Sequence, residues 1–300
     1  MENHMSNTYT VFLSDARNPE GPVRLRDGSW VFTEMDKGCV SWVDAAGQNR
    51  RTLAVTGLAN GLTTDAQDTV YIAEAEQRAL LRVGLDGAVE TVSTGAPQER
   101  FLLPNDLVFG PDGHLYMTDS GIELATHNGI EQPMDIYRLP YNGKIFRIDP
   151  ATGKTEKLAE GLRMANGIVF GPGSAHLYVN ESLTGNVYRY PFDRDHIAGP
   201  RELFCNVMAK PCQEYGRGAG PDGMAFDERG NLYVTVYVQG DVVVVSPSGR
   251  VVSRIPIPGG FPTNIAFDAP GSRRALVTEA GKNQLLFVAT EHDGLPLYTG

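Results

Sequence analysis

A short strand–turn–strand unit recurs six times along the chain, and this repetition constrains the fold more than any other feature. In the clearest copy, GPDGMAFDERGNLYVT, a polar residue and a glycine precede an apolar strand, a turn rich in Asp and Gly, and a second strand. The copies follow one another at spacings of roughly 40 to 60 residues, which is typical of repeat architectures. Their first residues are Glu20, Asn60, Asn105, Asn166, Asp222 and Thr263.

Two more strand-like segments follow most copies, such as CVSWVD and RRTLAV after the first. Six units of four antiparallel strands predict an all-β fold, a six-bladed β-propeller, over residues 1–300 as a single domain. The last unit has only three strands, so we expect the N-terminal strand from Tyr9 to Leu13 to supply the fourth and close the ring. Closure removes the exposed sheet edges. The alternative, a β-sandwich, does not explain six repeats in register.

Charge and hydropathy restrict the partners of this chain. Its net charge of −10 argues against a nucleic-acid partner, because binding phosphate requires a basic face. The start, MENHMSNTYTVF, has no apolar segment of signal-peptide length, and no apolar run approaches the ~20 residues of a membrane helix. We therefore expect a cytoplasmic protein, a monomer or weak homo-oligomer, that binds a small molecule and no membrane.

The loops predict which face of the propeller carries the site. The connections on one face are short turns such as GPDG and SPSG, whereas three on the other face are long: Gly95 to Pro104, Ser120 to about Asn142, and Cys205 to Gly220. Long loops on one face of a rigid scaffold usually build a binding site. The loop from Ser120 to Asn142 is the best candidate for a lid.

The six first residues should converge at the channel mouth on that same face, and each carries a side-chain oxygen. Asn60 and Thr263 fit a structural role, because such residues often bond to backbone groups in turns. A purely structural role explains the other four less well, because burying an acid without a partner costs free energy. These four are the two acids and the two remaining amides, Glu20, Asp222, Asn105 and Asn166.

A set of carboxylates and amides suits a hard divalent cation such as Ca²⁺, Mg²⁺ or Mn²⁺, with Zn²⁺ as an alternative. Such a metal polarises a carbonyl oxygen while a neighbouring carboxylate acts as general base, and this combination opens ester-like bonds.

Asp119, at the end of HLYMTDSG, belongs to the same blade as Asn105 and opens the long loop, so we count it as a candidate. Glu123 and His127 are weaker candidates in the lid. The acids at comparable positions, which we interpret as rim charges, are Glu34, Glu74, Glu181 and Glu279.

The blocks EGPV, PNDLVF…DGHLYMTD, NGIVF…LYVNES and PDGMAFDERGNLYV resemble the regucalcin/gluconolactonase family of six-bladed propellers over nearly the whole chain. The resemblance implies a divalent metal, with Ca²⁺ as the expected ion, and hydrolysis of sugar lactones or related esters. It implies that Glu20, Asn166 and Asp222 are metal ligands, with Asp222 also the base. It also implies that Asn105 contacts the substrate, the metal or its water, and that Asp119 lies near the metal.

The sequence departs from the family pattern at the mouth. Leu103 stands where regucalcin-like members carry an arginine that binds the sugar. Further apolar residues nearby favour a less polar lactone or ester, and they are Phe101, Leu102, Met134, Ile136 and Tyr137. Three other functions remain open: organophosphate hydrolysis with Asp222 attacking phosphorus, a non-catalytic metal- or ligand-binding propeller, and a lyase or isomerase that reuses the mouth.

Overall fold

Antiparallel strands joined by short turns account for most of the chain, and the computed structural model describes residues 9–216 and 218–300. The strands of the N-terminal half are β1 (Tyr9–Ser14), β2 (Pro19–Arg24), β3 (Trp30–Glu34), β4 (Cys39–Val43), β5 (Arg51–Val55), β6 (Ala59–Thr64), β7 (Val70–Glu74), β8 (Ala79–Val83), β9 (Val89–Ser93), β10 (Gly95–Ala96), β11 (Glu99–Arg100), β12 (Pro104–Phe109) and β13 (Leu115–Asp119). Those that follow are β14 (Gly143–Ile148), β15 (Thr155–Leu162), β16 (Ala165–Phe170), β17 (His176–Glu181), β18 (Asn186–Asp193), β19 (His196–Ile197), β20 (Glu202–Asn206), β21 (Gly220–Phe226), β22 (Leu232–Tyr237), β23 (Asp241–Val245), β24 (Val251–Pro256), β25 (Pro262–Phe267), β26 (Arg274–Glu279) and β27 (Gln284–Ala289).

Helical structure in the described part of the chain is confined to short segments. Within residues 9–216 and 218–300 there is one α-helix, α1 (Leu124–Asn128), and it lies in the long loop between β13 and β14. The 3₁₀ turns are Met35–Lys37, Pro133–Arg138, Pro172–Ser174 and Cys212–Tyr215. No helix among the described residues has the length and apolar character needed to cross a membrane.

Most of the strands form six sheets arranged in a ring, whereas the short strands β10 and β11 pair with each other and β19 pairs with β18. The sheet orders are β2-β3-β4-β5, β6-β7-β8-β9, β12-β13-β14-β15, β16-β17-β18-β20, β21-β22-β23-β24 and β25-β26-β27-β1. The first strand of each sheet packs against the first strand of the next, and β25 packs back against β2. In the last sheet β1 pairs antiparallel with β27, with Tyr9 opposite Val288. The predicted six-bladed propeller, closed by the N-terminal strand, is confirmed.

The hydrophobic core is divided into layers between adjacent sheets. Val31 and Val40 of the first sheet share one layer with Ile72 and Leu81 of the second. Trp30 and Phe287 meet edge to face in the layer that joins the first sheet to the last. Each such side chain removed from water contributes roughly 2 kcal/mol, so the inner strands are held rigidly around the channel.

The C-terminal segment crosses the far face of the ring, opposite the predicted site. The amide of Leu295 donates to the carbonyl oxygen of Phe226 at 2.9 Å, and the amide of Ala66 donates to that of Thr299 at 2.8 Å. The ring of Tyr298 stands edge-on to Phe170. These contacts join three different sheets at the ends of their inner strands, away from the mouth.

Candidate active site

The first residues of the six repeats converge on one cavity at the channel mouth. The cavity has a volume of about 620 Å³ and lies between the inner strands and the loop that carries α1. All six predicted ring residues line it, and they are Glu20, Asn60, Asn105, Asn166, Asp222 and Thr263. Residues distant in sequence are therefore brought together by closure of the ring.

A bulge at the start of every inner strand aims these side chains. The register of β2 against β3 shifts between Glu20 and Val23, and the register of β21 against β22 shifts between Pro221 and Met224. The other four sheets have the same irregularity at the same point. A bulge bends the strand and redirects a side chain, which is why bulges are common beside active sites.

Glycines after the ring residues allow the bulged strands to approach closely. Gly21 has φ +50°, and a Cβ there would lie 2.8 Å from the backbone nitrogen of Leu62. At Gly167 a Cβ would lie 2.3 Å from the carbonyl oxygen of Asp222, an atom that also accepts a hydrogen bond from Asn180 at 2.5 Å. The backbone of Asp222 is thus fixed by its neighbouring blade.

Two channel residues were missed by the sequence analysis, because the polar-plus-glycine pattern breaks in two copies. Asp106 follows Asn105, and Asn264 follows Thr263, where other copies have glycine. A Cβ on Gly61 would lie 2.4 Å from Oδ1 of Asp106, so the glycine of one blade makes room for the acid of the next. These two breaks in the repeat could have revealed both residues in the sequence, because a polar side chain that replaces a channel glycine must point into the channel.

Three carboxyl groups influence one another in this channel. Burial, and then the charge of Asp106, raise the pKa of Glu20 to about 8, opposed by hydrogen bonds from Asn264 at 3.0 Å and from the amide of Gly21. Burial raises the pKa of Asp106 to about 7. Burial, and then the charges of Glu20 and Asp106, raise the pKa of Asp222 well above its ordinary value. The protein therefore places several acids where their ionisation is opposed.

The two amides predicted as ligands are oriented by serines. Asn105 donates from Nδ2 to Oγ of Ser120 at 3.2 Å, and Asn166 donates from Nδ2 to Oγ of Ser182 at 3.1 Å. Both serines directly follow the second strand of the same sheet. Because the nitrogen of each amide is engaged, its oxygen is left as the atom suited to a cation or a substrate donor.

Asp119 lies beside the site, but its oxygens face the backbone of the preceding loop. It is fully buried, does not line the cavity and accepts the amide protons of Leu102 at 2.7 Å, Leu103 at 3.1 Å and Gly121 at 2.7 Å. Burial is the first cause that raises its pKa, and these bonds oppose it. Four other acids act in the same way, since each accepts an amide proton from the loop that leads to the inner strand of its own sheet. They are Glu34, Glu74, Glu181 and Glu279.

The remaining candidates separate into structural and cavity-facing residues. Thr263 donates to the carbonyl oxygen of Pro19 at 2.7 Å and so joins the last blade to the first. Glu123 does not line the cavity and bonds to Arg78. His127 of α1 does line it, with Nδ1 2.7 Å from the hydroxyl of Tyr141, and burial lowers the pKa of its imidazole.

The donor set fits a divalent cation. Within the described residues, the charges that raise the pKa values of Glu20 and Asp222 are those of neighbouring acids. Three or more His, Cys, Asp or Glu side chains do not gather with metal-binding geometry anywhere in residues 9–216 and 218–300. The predicted set has two carboxylates and would be completed by amide oxygens. An all-oxygen set of this kind suits a hard cation, because its positive charge would offset the repulsion between the carboxylates.

Fold and site together define a class, the six-bladed propellers with a carboxylate–amide pocket at the channel mouth. The family model described as the SMP-30/Gluconolactonase/LRE-like region matches residues 18–281. The chain belongs to this family, which confirms the resemblance seen in the sequence.

Individual relatives are similar over much of the chain. The chain is 27% identical over 308 residues to a gluconolactonase of Zymomonas mobilis, covering 96% of this chain and 80% of the relative. It is 32% identical over 144 residues to a 6-deoxy-6-sulfogluconolactonase of Pseudomonas putida, covering 47% of this chain and 46% of that protein. Among solved structures, a calcium-binding regucalcin of Agrobacterium tumefaciens superposes with a TM-score of 0.75 at 20% identity, over 96% of this chain and 99% of the other, which shows the shared fold.

Proposed function

We propose that the protein is a metal-dependent lactonase that opens a cyclic ester, sugar-derived or less polar, by attack of water on the carbonyl carbon. The observation that carries the proposal is the convergence of Glu20, Asn105, Asn166 and Asp222 on one covered cavity. The names of the relatives from Zymomonas mobilis and Pseudomonas putida, both lactonases, support it.

Glu20, Asn166 and Asp222 would hold the cation, with Asn105 beside them. We expect Ca²⁺, with Mg²⁺, Mn²⁺ and Zn²⁺ as alternatives, and the name of the calcium-binding structural neighbour agrees with this choice. When bound, the cation would supply Lewis acidity toward the carbonyl oxygen of the substrate.

Asp222 is the proposed general base. Its carboxylate takes a proton from the attacking water while the water oxygen forms a bond to the carbonyl carbon. The tetrahedral intermediate collapses, the bond from carbon to ring oxygen breaks, and the proton held by Asp222 passes to the departing oxygen, giving a hydroxy acid. Burial and the charges of Glu20 and Asp106 raise the pKa of Asp222, which makes its carboxylate a stronger base for this proton transfer.

Two further residues receive different roles. The amide of Asn105, held by Ser120, orients the substrate or the attacking water from the floor of the cavity. Asp119, which we had expected among the catalytic residues, is assigned to holding the loop that carries Leu102 and Leu103, because its oxygens already accept three amide protons.

Metal-stripped protein reloaded with Ca²⁺, Mg²⁺, Mn²⁺ or Zn²⁺ and assayed on a panel of lactones and linear esters tests the proposal. We expect hydrolysis to return with one ion and one class of lactone. Asp222→Asn should lower kcat by at least a hundredfold. The matched control is Glu228→Gln, an exposed acid on the far side of the same blade, which should keep full activity. Absence of hydrolysis under every loading would contradict the proposal.

A further inference from the structure

The cavity at the mouth has two chemically different sides. Glu20 and Asp222 lie on one side, on the first and fifth blades. On the opposite side, over the second to fourth blades, six apolar side chains form a wall that lines the cavity together with the ring amides and His127, and they are Leu58, Leu103, Leu124, Ile130, Ile136 and Met164. All six also belong to one continuous hydrophobic cluster that supports the loop with α1.

The predicted lid, residues 120–142, supplies half of this wall. Leu124, Ile130 and Ile136 of the lid face the cavity, whereas Met134 is 41% exposed on the outside of the segment. Of the polar lid residues that line the cavity, Asn128 and Glu131 are exposed, and Nδ1 of His127 lies 2.7 Å from the hydroxyl of Tyr141. The inner face of the lid is therefore built to cover an apolar group.

The lid is fastened to the rest of the protein in this covering position. The guanidinium of Arg163, in the loop before β16, donates to the carbonyl oxygens of Tyr137 at 2.9 Å and Leu139 at 3.1 Å. At the base of the lid the amide of Gly121 donates to Oδ1 of Asp119, the last residue of β13, at 2.7 Å. Since these bonds join the lid to its own blade and to the next, the apolar wall is a fixed part of the site.

From this geometry we propose that the substrate is a lactone carrying an apolar chain or ring, which lies against the lid while its ester group faces Glu20 and Asp222. The inference rests on the proposed function, since it names the substrate class of the same site. Each methylene buried against the wall strengthens binding roughly three- to fourfold. Against the six apolar side chains, the hydroxyl groups of a polyhydroxylated lactone would have no hydrogen-bond partners, which weakens binding. The described lining residues include no lysine or arginine to bind those hydroxyls.

Two non-hydrolysable δ-lactams test the proposal by isothermal titration of the Ca²⁺-loaded protein. One carries a pentyl chain and the other is polyhydroxylated. We expect the pentyl lactam to bind at least tenfold more tightly, and Ile130→Ser to reduce that ratio severalfold. Met134→Ser, an equivalent loss of apolar surface on the outside of the lid, should leave the ratio unchanged. Leu124→Ser provides a second test of the wall if Ile130→Ser does not fold.

Equal or tighter binding of the hydroxylated lactam, failure of both lactams to bind, or a ratio unaffected by either wall variant would overturn the proposal. Parallel hydrolysis assays on δ-decalactone and glucono-δ-lactone test the apolar substrate class and the lactonase activity separately. Hydrolysis of the sugar lactone alone would overturn the apolar substrate class and support the lactonase. The expected lactam preference without hydrolysis of either lactone would support the selectivity of the cavity and overturn the proposed function alone.

Discussion

Asn166 donates a hydrogen bond to the hydroxyl of Ser182, and that hydroxyl donates in turn to the carbonyl oxygen of Pro221, at 3.1 and 2.8 Å. The serine thereby joins a proposed ligand of the fourth blade to the residue before Asp222 on the fifth. Asn105 and Ser120 repeat the arrangement one blade earlier, where Ser120 donates to the carbonyl oxygen of Ala165 at 3.0 Å. Positions around the mouth are therefore coupled through the serines.

Ser182→Ala should weaken cation binding by about tenfold, because removal of a group that orients a ligand typically costs ten- to a hundredfold in metal affinity. Isothermal titration of the metal-stripped protein with Ca²⁺ measures the effect. Ser248→Ala, in an exposed turn, is the matched control and should bind as the wild type does. Unchanged affinity in Ser182→Ala would show that the serine does not orient a ligand.

The metal-free protein should lose stability as the pH rises from 5 to 9. The folded-state pKa of Glu20 is raised from 4.5 to about 8 and that of Asp106 from 3.8 to about 7. Folding therefore favours the protonated acids, a contribution that is fully present below the unfolded pKa values and lost as the pH passes 7 to 8. Urea unfolding in EDTA should give a decrease of several kcal/mol.

Added Ca²⁺ should restore more stability at pH 8 than at pH 5, because only ionised carboxylates bind it. Asp106→Asn should make the free energy of unfolding of the metal-free protein depend less on pH, because it removes one of the three interacting acids. A profile that is level between pH 5 and 9 in EDTA would contradict the electrostatic description of the channel.

Asp119→Ala should act mainly on stability. It leaves the amides of Leu102, Leu103 and Gly121 without their acceptor, at a cost of about 3 kcal/mol or more in the free energy of unfolding. Asp119→Asn retains one acceptor oxygen and should be less harmful. A large fall in kcat with unchanged Tm in Asp119→Asn would instead restore the catalytic role expected from the sequence.

Single-turnover hydrolysis in ¹⁸O-labelled water separates the two ways in which Asp222 could act. With Asp222 as general base, the label enters the carboxylate of the product in the first turnover. Direct attack by Asp222, the route considered for organophosphates, would place the label in its own side chain first. Mass spectrometry of product and of the peptide containing Asp222 distinguishes these outcomes.

The sequence was sufficient to predict the ring and its polar mouth, because both follow from a repeated local pattern. Strand pairs with alternating or apolar residues specify the blades, and the spacing of the copies specifies their number. Closure then places the first residue of each copy at the mouth, which is how Glu20 and Asp222 could be paired across about 200 residues.

Features that depend on contacts between copies could not be predicted in the same way. A comparison of copies shows that Asp106 and Asn264 replace glycine, but not that glycines on neighbouring blades make room for their side chains. The lid has no counterpart in the repeat, so α1 and the inward direction of Ile130 follow from packing alone. Phe101, expected at the mouth, is fully buried against Phe146 instead.

Anomalous diffraction from crystals grown with excess Ca²⁺ or Mn²⁺ tests most directly whether the ring forms a cation pocket. We expect one peak in the mouth, with oxygens of Glu20, Asn166 and Asp222 at roughly 2.0 to 2.6 Å from the ion. An empty mouth in which Glu20 and Asp222 point apart, or an ion bound elsewhere, would contradict this prediction.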